Sequence, residues 1–274
     1  MASSKREREL ARAKHERQSS RRTIRRKRQQ RNGIIAGAVG LAVVLVVVLM
    51  IVRPDPAPIA ADTPTATPTA TPPSAPVPTP TDVTCTDVTP VVQSKTYSKP
   101  EDQHLKAGSE ISFNTNCGQI KVALDVQAAP KTSNAIAFLA SSGWYNNNLC
   151  HRLTTDGIYV VQCGSPTMNG QGGAGFTLKD ENLPTASGSS SVIYPAGTVA
   201  MANSGPNTGS SQFFIIYKDS PLGPNYSQFG HVTSGMNVVE YIAANGVESG
   251  AANPSDGKPA QPLVIKTATV RNGP

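Results

Sequence analysis

The longest uninterrupted apolar run in the chain is Gly33 to Val52, GIIAGAVGLAVVLVVVLMIV, twenty residues without a charge. Wound as a helix at 1.5 Å per residue it is about 30 Å long, the hydrocarbon thickness of a bilayer, and it has no polar face to turn to water. A different period appears further on. In Gly118 to Asp125 the apolar Ile120, Val122 and Leu124 alternate with Gln119, Lys121 and Asp125, which predicts a half-buried strand. A helix follows, opened by Pro130 with Thr132 or Ser133 as N-cap and stopped by Gly143; Ala135, Phe138, Leu139 and Ser142 share a face. Arg152 to Gln162 predicts a hairpin with Asp156-Gly157 at its turn. Val199–Ala202 and Phe213–Tyr217 are continuous apolar runs, joined by the polar loop from Asn203 to Ser210, and predict two buried strands. Asn237 to Asn245 predicts a second helix with Val238, Val239 and Ile242 on one side, and Leu263 to Val270 a closing strand. The stretch from Val83 to Glu110 is irregular. Many strands with two helices set apart in sequence fit a mainly β barrel with helices at its ends.

Composition divides what lies outside this barrel. Residues 1–31 hold 13 Lys and Arg against Glu7, Glu9 and Glu16, a net +10. The chain as a whole is only +7, so the remainder is about −3. The high pI is therefore a property of a tail, and the folded part is not expected to bind nucleic acid. The expected organisation is a basic cytoplasmic tail at 1–32, a transmembrane helix at 33–52, a Pro/Thr/Ala-rich linker at 53–84 and a folded domain at 85–274 with its core at 110–272. A cleaved signal peptide is the alternative for the apolar run. Against it stand the long basic region, a run twice the usual length, and no clear A-x-A site after it. With an anchor retained, the cations place the N-terminus in the cytoplasm and everything beyond Arg53 outside, and they would attract anionic lipid headgroups. Ser20-Arg21-Arg22 is a weak match to a twin-arginine signal, because basic residues crowd both of its sides. The linker has almost nothing to bury. As a polyproline-like spacer of thirty residues it could hold the domain up to ~90 Å from the bilayer.

The chemistry concentrates in two places, Cys150-His151-Arg152-Leu153 leading to Gln162-Cys163, and Met201-Ala-Asn-Ser-Gly-Pro-Asn-Thr-Gly-Ser-Ser-Gln-Phe-Phe214. Together, in this order, they resemble the cyclophilins, a family of peptidyl-prolyl cis-trans isomerases, over roughly residues 110–272. The resemblance implies a closed eight-stranded antiparallel β-barrel capped by two α-helices. It implies a catalytic group of Arg152, Gln162 and Asn203: Arg152 donates to the proline nitrogen, Gln162 orients it and bonds a substrate carbonyl, and Asn203 holds the peptide through its backbone. It further implies a proline recess walled by Tyr159, Val160, Phe214 and Leu222 with Ala202 beside them, and Gln212 and Tyr226 lining the site. Partners are then proline-containing unfolded or extended polypeptides, the chain is expected to act as a monomer, and the reaction calls for no cofactor or metal. Four positions depart from the family pattern. Tyr159 and Val160 stand where Phe and Met are usual, Tyr226 stands at a usual His, and Pro221 stands where many members carry the Trp linked to cyclosporin binding. A proline-peptide binding module or holdase with little turnover is the competing reading, and a third makes the domain a passive outer anchor for a functional basic tail.

Other motifs carry less. His151 reads as a buried structural histidine, since no Ser or Asp is placed to complete a triad with it. Gly170-Gln-Gly-Gly-Ala-Gly175 matches a nucleotide-binding glycine pattern in letters only, lacking the strand and helix around it, and reads as a loop bordering the peptide groove. Asn225-Tyr-Ser227 is a formal glycosylation sequon. The four cysteines lack zinc-ligand spacing. Cys85–Cys117 is the favoured disulfide. Placing Arg152 opposite Gln162 turns both outward with Cys150 and turns His151 and Cys163 inward, which argues against a Cys150–Cys163 bond.

Overall fold

Strict alternation sets the first hairpin. Strands β1 (Glu110–Thr115) and β2 (Gly118–Leu124) pair antiparallel from Glu110↔Ala123 to Thr115↔Gly118. Ile111 and Phe113 from one strand, with Ile120, Val122 and Leu124 from the other, enter the core. The remaining strands are β3 (Asn148–Leu149), β4 (Arg152–Thr154), β5 (Val160–Cys163), β6 (Val192–Tyr194), β7 (Thr198–Met201), β8 (Phe213–Ile216), β9 (Ser220–Leu222), β10 (Gln228–Ser234), β11 (Asp256–Gly257) and β12 (Val264–Arg271). This computed structural model describes residues 80–186 and 188–274. The basic tail, the apolar run at 33–52 and the linker up to residue 79 lie outside the described residues. Among the described residues no helix is long and apolar enough to cross a membrane.

In place of the eight strands expected, ten segments form one antiparallel sheet in the order β11-β4-β5-β8-β7-β10-β2-β1-β12-β3, and β6 pairs with β9 separately. The sheet is curled. β3, at one end, and β4, next to the other, are separated only by Cys150 and His151, so one stretch of chain pairs with β12 and then with β5. The switch occurs between neighbours: Cys150 N–H donates to Leu263 O at 2.9 Å and His151 N–H to Gln162 O at 3.0 Å. That change of partner breaks the inward–outward alternation, and both residues are buried. The expectation about the cysteines is therefore corrected. Arg152 does face Gln162, yet Cys150 and Cys163 are disulfide-bonded, because the two-residue periodicity does not extend back through the switch. Cys85–Cys117 is bonded as expected.

Helix α1 (Pro130–Ser141) carries Ala135, Phe138 and Leu139 on its buried side, and α2 (Met236–Ala244) carries Val238, Val239 and Ile242. The start of α1 differs from expectation. Ala129 is the N-cap, Pro130 follows at the first helical position, and Thr132 and Ser133 lie buried in the first turn. The free N–H groups are capped from afar. The Glu181 carboxylate accepts from Thr132 N–H at 2.9 Å, from Thr132 Oγ1 at 3.0 Å and from Lys131 N–H at 3.3 Å. At the start of α2, Gly235 takes φ +87°, and a Cβ there would strike the Gln119 carbonyl.

Residues 83–109 form no strand, but they are bound across the domain. Thr86 N–H donates to Asn116 O, Gln93 N–H to Pro166 O and Tyr97 N–H to Ala174 O. The Tyr97 ring meets Phe138 edge-on at 4.9 Å. Inside the curl of the sheet, Phe113 stacks on Phe213 at 5.1 Å, and Tyr145 closes edge-on against both.

His151 is buried at 7 % exposure, and neither ring nitrogen has a hydrogen-bond partner among the described residues. Burial, with Arg152 beside it, lowers its pKa to about 4. An unfolded chain binds this proton near pH 6.5. The histidine therefore contributes stability above pH 6.5, and that contribution is lost as the pH falls toward about 4.

Two outcomes follow for stability. Glu181→Ala removes the cap of α1 and is expected to cost about 1–2 kcal/mol in urea unfolding; an unchanged midpoint would count against the capping role. For His151→Gln, the loss of stability between pH 6.5 and pH 4 is expected to be smaller than wild type's by on the order of 3 kcal/mol, measured by unfolding at a series of pH values. Parallel pH profiles would reject the buried neutral imidazole.

Candidate active site

Strands β7 and β8 are buried along their whole length, so each must be covered on both faces. Phe213 and Ile215 point into the main core. Phe214 and Ile216 point the other way, into a second cluster with Val160, Tyr194 and Ala200. The β6–β9 pair and Tyr226 cover that outer cluster. Where the cover stops, a cavity of about 160 Å³ remains, lined by Arg152, Ile158, Val160, Gln162, Ala202, Asn203, Phe214, Leu222 and Tyr226. Its volume is below the ~300–1,000 Å³ of pockets that hold whole drug-sized ligands, and it suits a single small ring. A smaller recess of about 90 Å³ adjoins it, sharing Gln162, Ala202 and Asn203 and continuing to Gly170, Gly172, Thr208 and Gln212.

The apolar walls follow from the strand period. Val160 pairs with Ile216 and Gln162 with Phe214, side by side on the outer face. Counting back by two from Gln162 gives Val160 and then Ile158, and both line the cavity. Tyr159 falls on the opposite face and is not part of the wall. Its ring packs edge-on against Tyr217 at 5.8 Å and under Lys218 Nζ at 4.5 Å. The expectation for Tyr159 is thus corrected, and Ile158 takes its place; the alternation needed to find it was present in the sequence. Tyr226 meets Phe214 edge-on at 5.3 Å. Pro221 is exposed in β9, and Trp144 is buried in the core.

The polar side of the cavity is one hydrogen-bonded row. Arg152 Nη1 donates to Gln162 Oε1 at 3.3 Å. Gln162 Nε2 donates to Gln212 Oε1 at 3.1 Å, and Gln212 Nε2 donates to the Gly170 and Gly172 carbonyls, each at 2.9 Å. The glycine loop therefore borders the groove and anchors its glutamines. At the other end, Arg152 Nε and Nη2 donate to Asp256 Oδ1 and Oδ2 at 2.7 and 2.8 Å. The hydrogen bond to Asp256 raises the Arg152 pKa above its ordinary value, and the same bond lowers that of Asp256. Both side chains are 38 % exposed, so the pair adds at most about 1 kcal/mol to stability and acts mainly by fixing geometry.

Asn203 is held through its side chain. Its Nδ2 donates to Asn225 O at 2.7 Å, and its Oδ1 accepts from Gly205 N–H at 3.2 Å, which ties the 203–208 loop to the rim of the cavity. The structure thus brings together Arg152, Gln162, Asn203, Val160, Ala202, Phe214, Leu222 and Tyr226 around one cavity, with Gln212 in the adjoining recess. Asp256 was not identified from the sequence. It lies 104 residues after Arg152 in a Ser-Asp-Gly turn that carries no local chemical signal.

A fixed cation beside a small apolar cavity can stabilise charge that develops on a ring nitrogen seated in it. Comparison with known proteins agrees with this geometry. Residues 110–270 match the family model described as cyclophilin type peptidyl-prolyl cis-trans isomerase/CLD. The "probable peptidyl-prolyl cis-trans isomerase B" of Mycobacterium tuberculosis is 41 % identical over 187 residues, covering 65 % of this chain and 58 % of that protein. The protein of the same name from Mycobacterium leprae is 42 % identical over 166 residues, covering 57 % and 55 %. The chain therefore spans little more than half the length of these relatives. A cyclophilin type peptidyl-prolyl cis-trans isomerase from Cryptosporidium parvum superposes with a TM-score of 0.51 at 29 % identity, covering 61 % of this chain and 99 % of that one. With the matching segment running from β1 to β12 and enclosing the whole cavity, the chain belongs to the cyclophilin-type peptidyl-prolyl cis-trans isomerase family.

Proposed function

We propose that the chain accelerates cis-trans isomerisation of X-Pro bonds in extended polypeptides outside the cytoplasm, from a domain tethered to the membrane by Gly33–Val52. The tether reading is supported by the charge-free length of that run and by the 13 cations before it. Taking β3 and β4 as one strand and setting aside the two-residue β11 leaves eight strands in the curled sheet, which supports the reading of an eight-stranded barrel with the cavity on its outer wall.

The observation that carries the isomerase reading is Arg152, held by Asp256 and Gln162 while it lines an apolar cavity of ring size. Rotation about an X-Pro amide meets a barrier of ~18–20 kcal/mol because the C–N bond has partial double-bond character. Unaided, it takes tens to hundreds of seconds. Reaching milliseconds needs a gain of roughly 10⁴, about 5.5 kcal/mol of transition-state stabilisation. At the twisted transition state conjugation is lost, and the proline nitrogen becomes pyramidal with a localised lone pair. The ring seats against Phe214, Val160, Leu222 and Ile158. Gln162 and the Asn203 loop hold the flanking backbone while an Arg152 N–H donates to the nitrogen. That bond is stronger to the twisted amide than to the planar one, so it lowers the barrier without merely tightening binding. No covalent bond is made or broken.

Expected kinetics distinguish this enzyme from a proline-peptide binding module. The full chain should accelerate isomerisation of an X-Pro peptide in an exchange assay. Arg152→Ala should lose about 10²–10³ of kcat/KM, the usual cost of a preorganised donor, while peptide affinity changes much less. Equal rates for wild type and variant would defeat the catalytic reading, and peptide binding with no turnover by either would favour the binding module.

A further inference from the structure

We infer that Asp256 is the positioning residue of this site, and that it makes Arg152 an effective donor by fixing its guanidinium. The argument is a count of donors. A guanidinium has five N–H bonds. Asp256 takes two as a planar fork, Nε–H to Oδ1 at 2.7 Å and one Nη2–H to Oδ2 at 2.8 Å. Gln162 takes one from Nη1 at 3.3 Å. Two are left, one on Nη1 and one on Nη2.

The placement is built into the sheet. Asp256 lies on β11, whose register with β4 sets it opposite Thr154, two residues from Arg152 and on the same side of the ladder. Cross-strand diagonal neighbours at this separation are within reach of a long side chain. The turn that presents Asp256 is held by its own bonds: Asp256 N–H donates to Asn253 O at 3.3 Å, and the Asn253 side chain accepts from Ser255 N–H at 3.0 Å. A bidentate carboxylate fixes both the position and the plane of a guanidinium, which one long bond to a glutamine cannot do. Asp256 is absent from the cavity wall, so it acts through Arg152 and does not touch substrate.

A fixed donor matters only where the donor's bond differs between the planar and twisted amide, so the loss of Asp256 should fall on kcat and spare KM. The kinetic part of this inference rests on the isomerase reading; the orientational part does not. The test compares the full chain carrying Asp256→Asn, Asp256→Ala or Asp256→Glu with wild type. Isomerisation kinetics are measured on an X-Pro peptide, and the Arg152 Nε–H resonance is followed by NMR in nitrogen-labelled protein. The expected result is a loss of about tenfold in kcat with KM within twofold for Asn and Ala. Glu, which restores the carboxylate, should recover to within about threefold. The Nε–H signal should be slowly exchanging in wild type and Glu and lost in Asn and Ala. Unchanged kcat in Asn and Ala overturns the inference, as does a change confined to KM, or an Nε–H signal that persists without the carboxylate. If wild type itself shows no acceleration, the isomerase reading fails and the Nε–H signal alone decides: its loss supports the positioning role, and its persistence overturns it. Should the Asn variant fold poorly, as judged by its melting temperature, the Ala variant is read in its place.

Discussion

Burial of β7 and β8 on both faces is the constraint from which the site follows. A strand such as Phe213-Phe-Ile-Ile216 sends Phe213 and Ile215 into the barrel and must then shelter Phe214 and Ile216 on the outside. Each fully sheltered side chain of this size contributes about 1.5–3 kcal/mol, so leaving the outer row in water would be costly. The β6–β9 pair and Tyr226 meet most of that demand. The part they leave uncovered is the cavity. The apolar recess and the main core are thus two sides of one sheet.

Polarity is added to this wall from its edge. Asp256, Arg152, Gln162, Gln212 and the glycine loop form a continuous row in which each polar side chain is held at more than one point. Such a row has little reorganisation left to undergo when charge develops beside it, which is the basis of electrostatic preorganisation. Asn203 works in a related way, using its side chain to fix the loop whose backbone borders the groove. The segment at 83–109 supports the far end of the row, since Gln93 and Tyr97 bond the backbone at Pro166, before the glycine loop, and at Ala174, within it.

The differences between expectation and structure have separate physical causes. Alternation is dependable within a ladder and fails where the chain changes ladders. Counting by twos identified the core side of β2, and the chemistry implied by the family resemblance placed Arg152 opposite Gln162, as the structure has it. Carried back across Cys150 and His151, where the chain leaves β12 for β5, the same count gave the wrong answer for the disulfide. Continued back from Gln162 past the start of β5, the same alternation puts Ile158 rather than Tyr159 on the site face. The N-terminus of α1 failed for another reason: local hydroxyls promised a cap, but Glu181, some fifty residues on, is the group that arrives.

By itself the sequence determined the mainly β architecture and the two helices with their buried faces, which depend on neighbours along the chain, the range at which hydrophobic period and turn chemistry act. The pieces of the site that lie in unbroken runs, Arg152 to Gln162 and Met201 to Phe214, were legible as a resemblance to the cyclophilins. Tertiary structure alone decided that Asp256 grips Arg152, that Cys150 meets Cys163, that Glu181 caps α1, and that the β6–β9 pair roofs the outer cluster. Each of these joins groups whose meeting is set by how strands are ordered across the sheet or by where a loop is tied. A carboxylate has no local pattern that names its partner, because an ion pair depends on distance in space, and that distance is fixed only when the barrel curls.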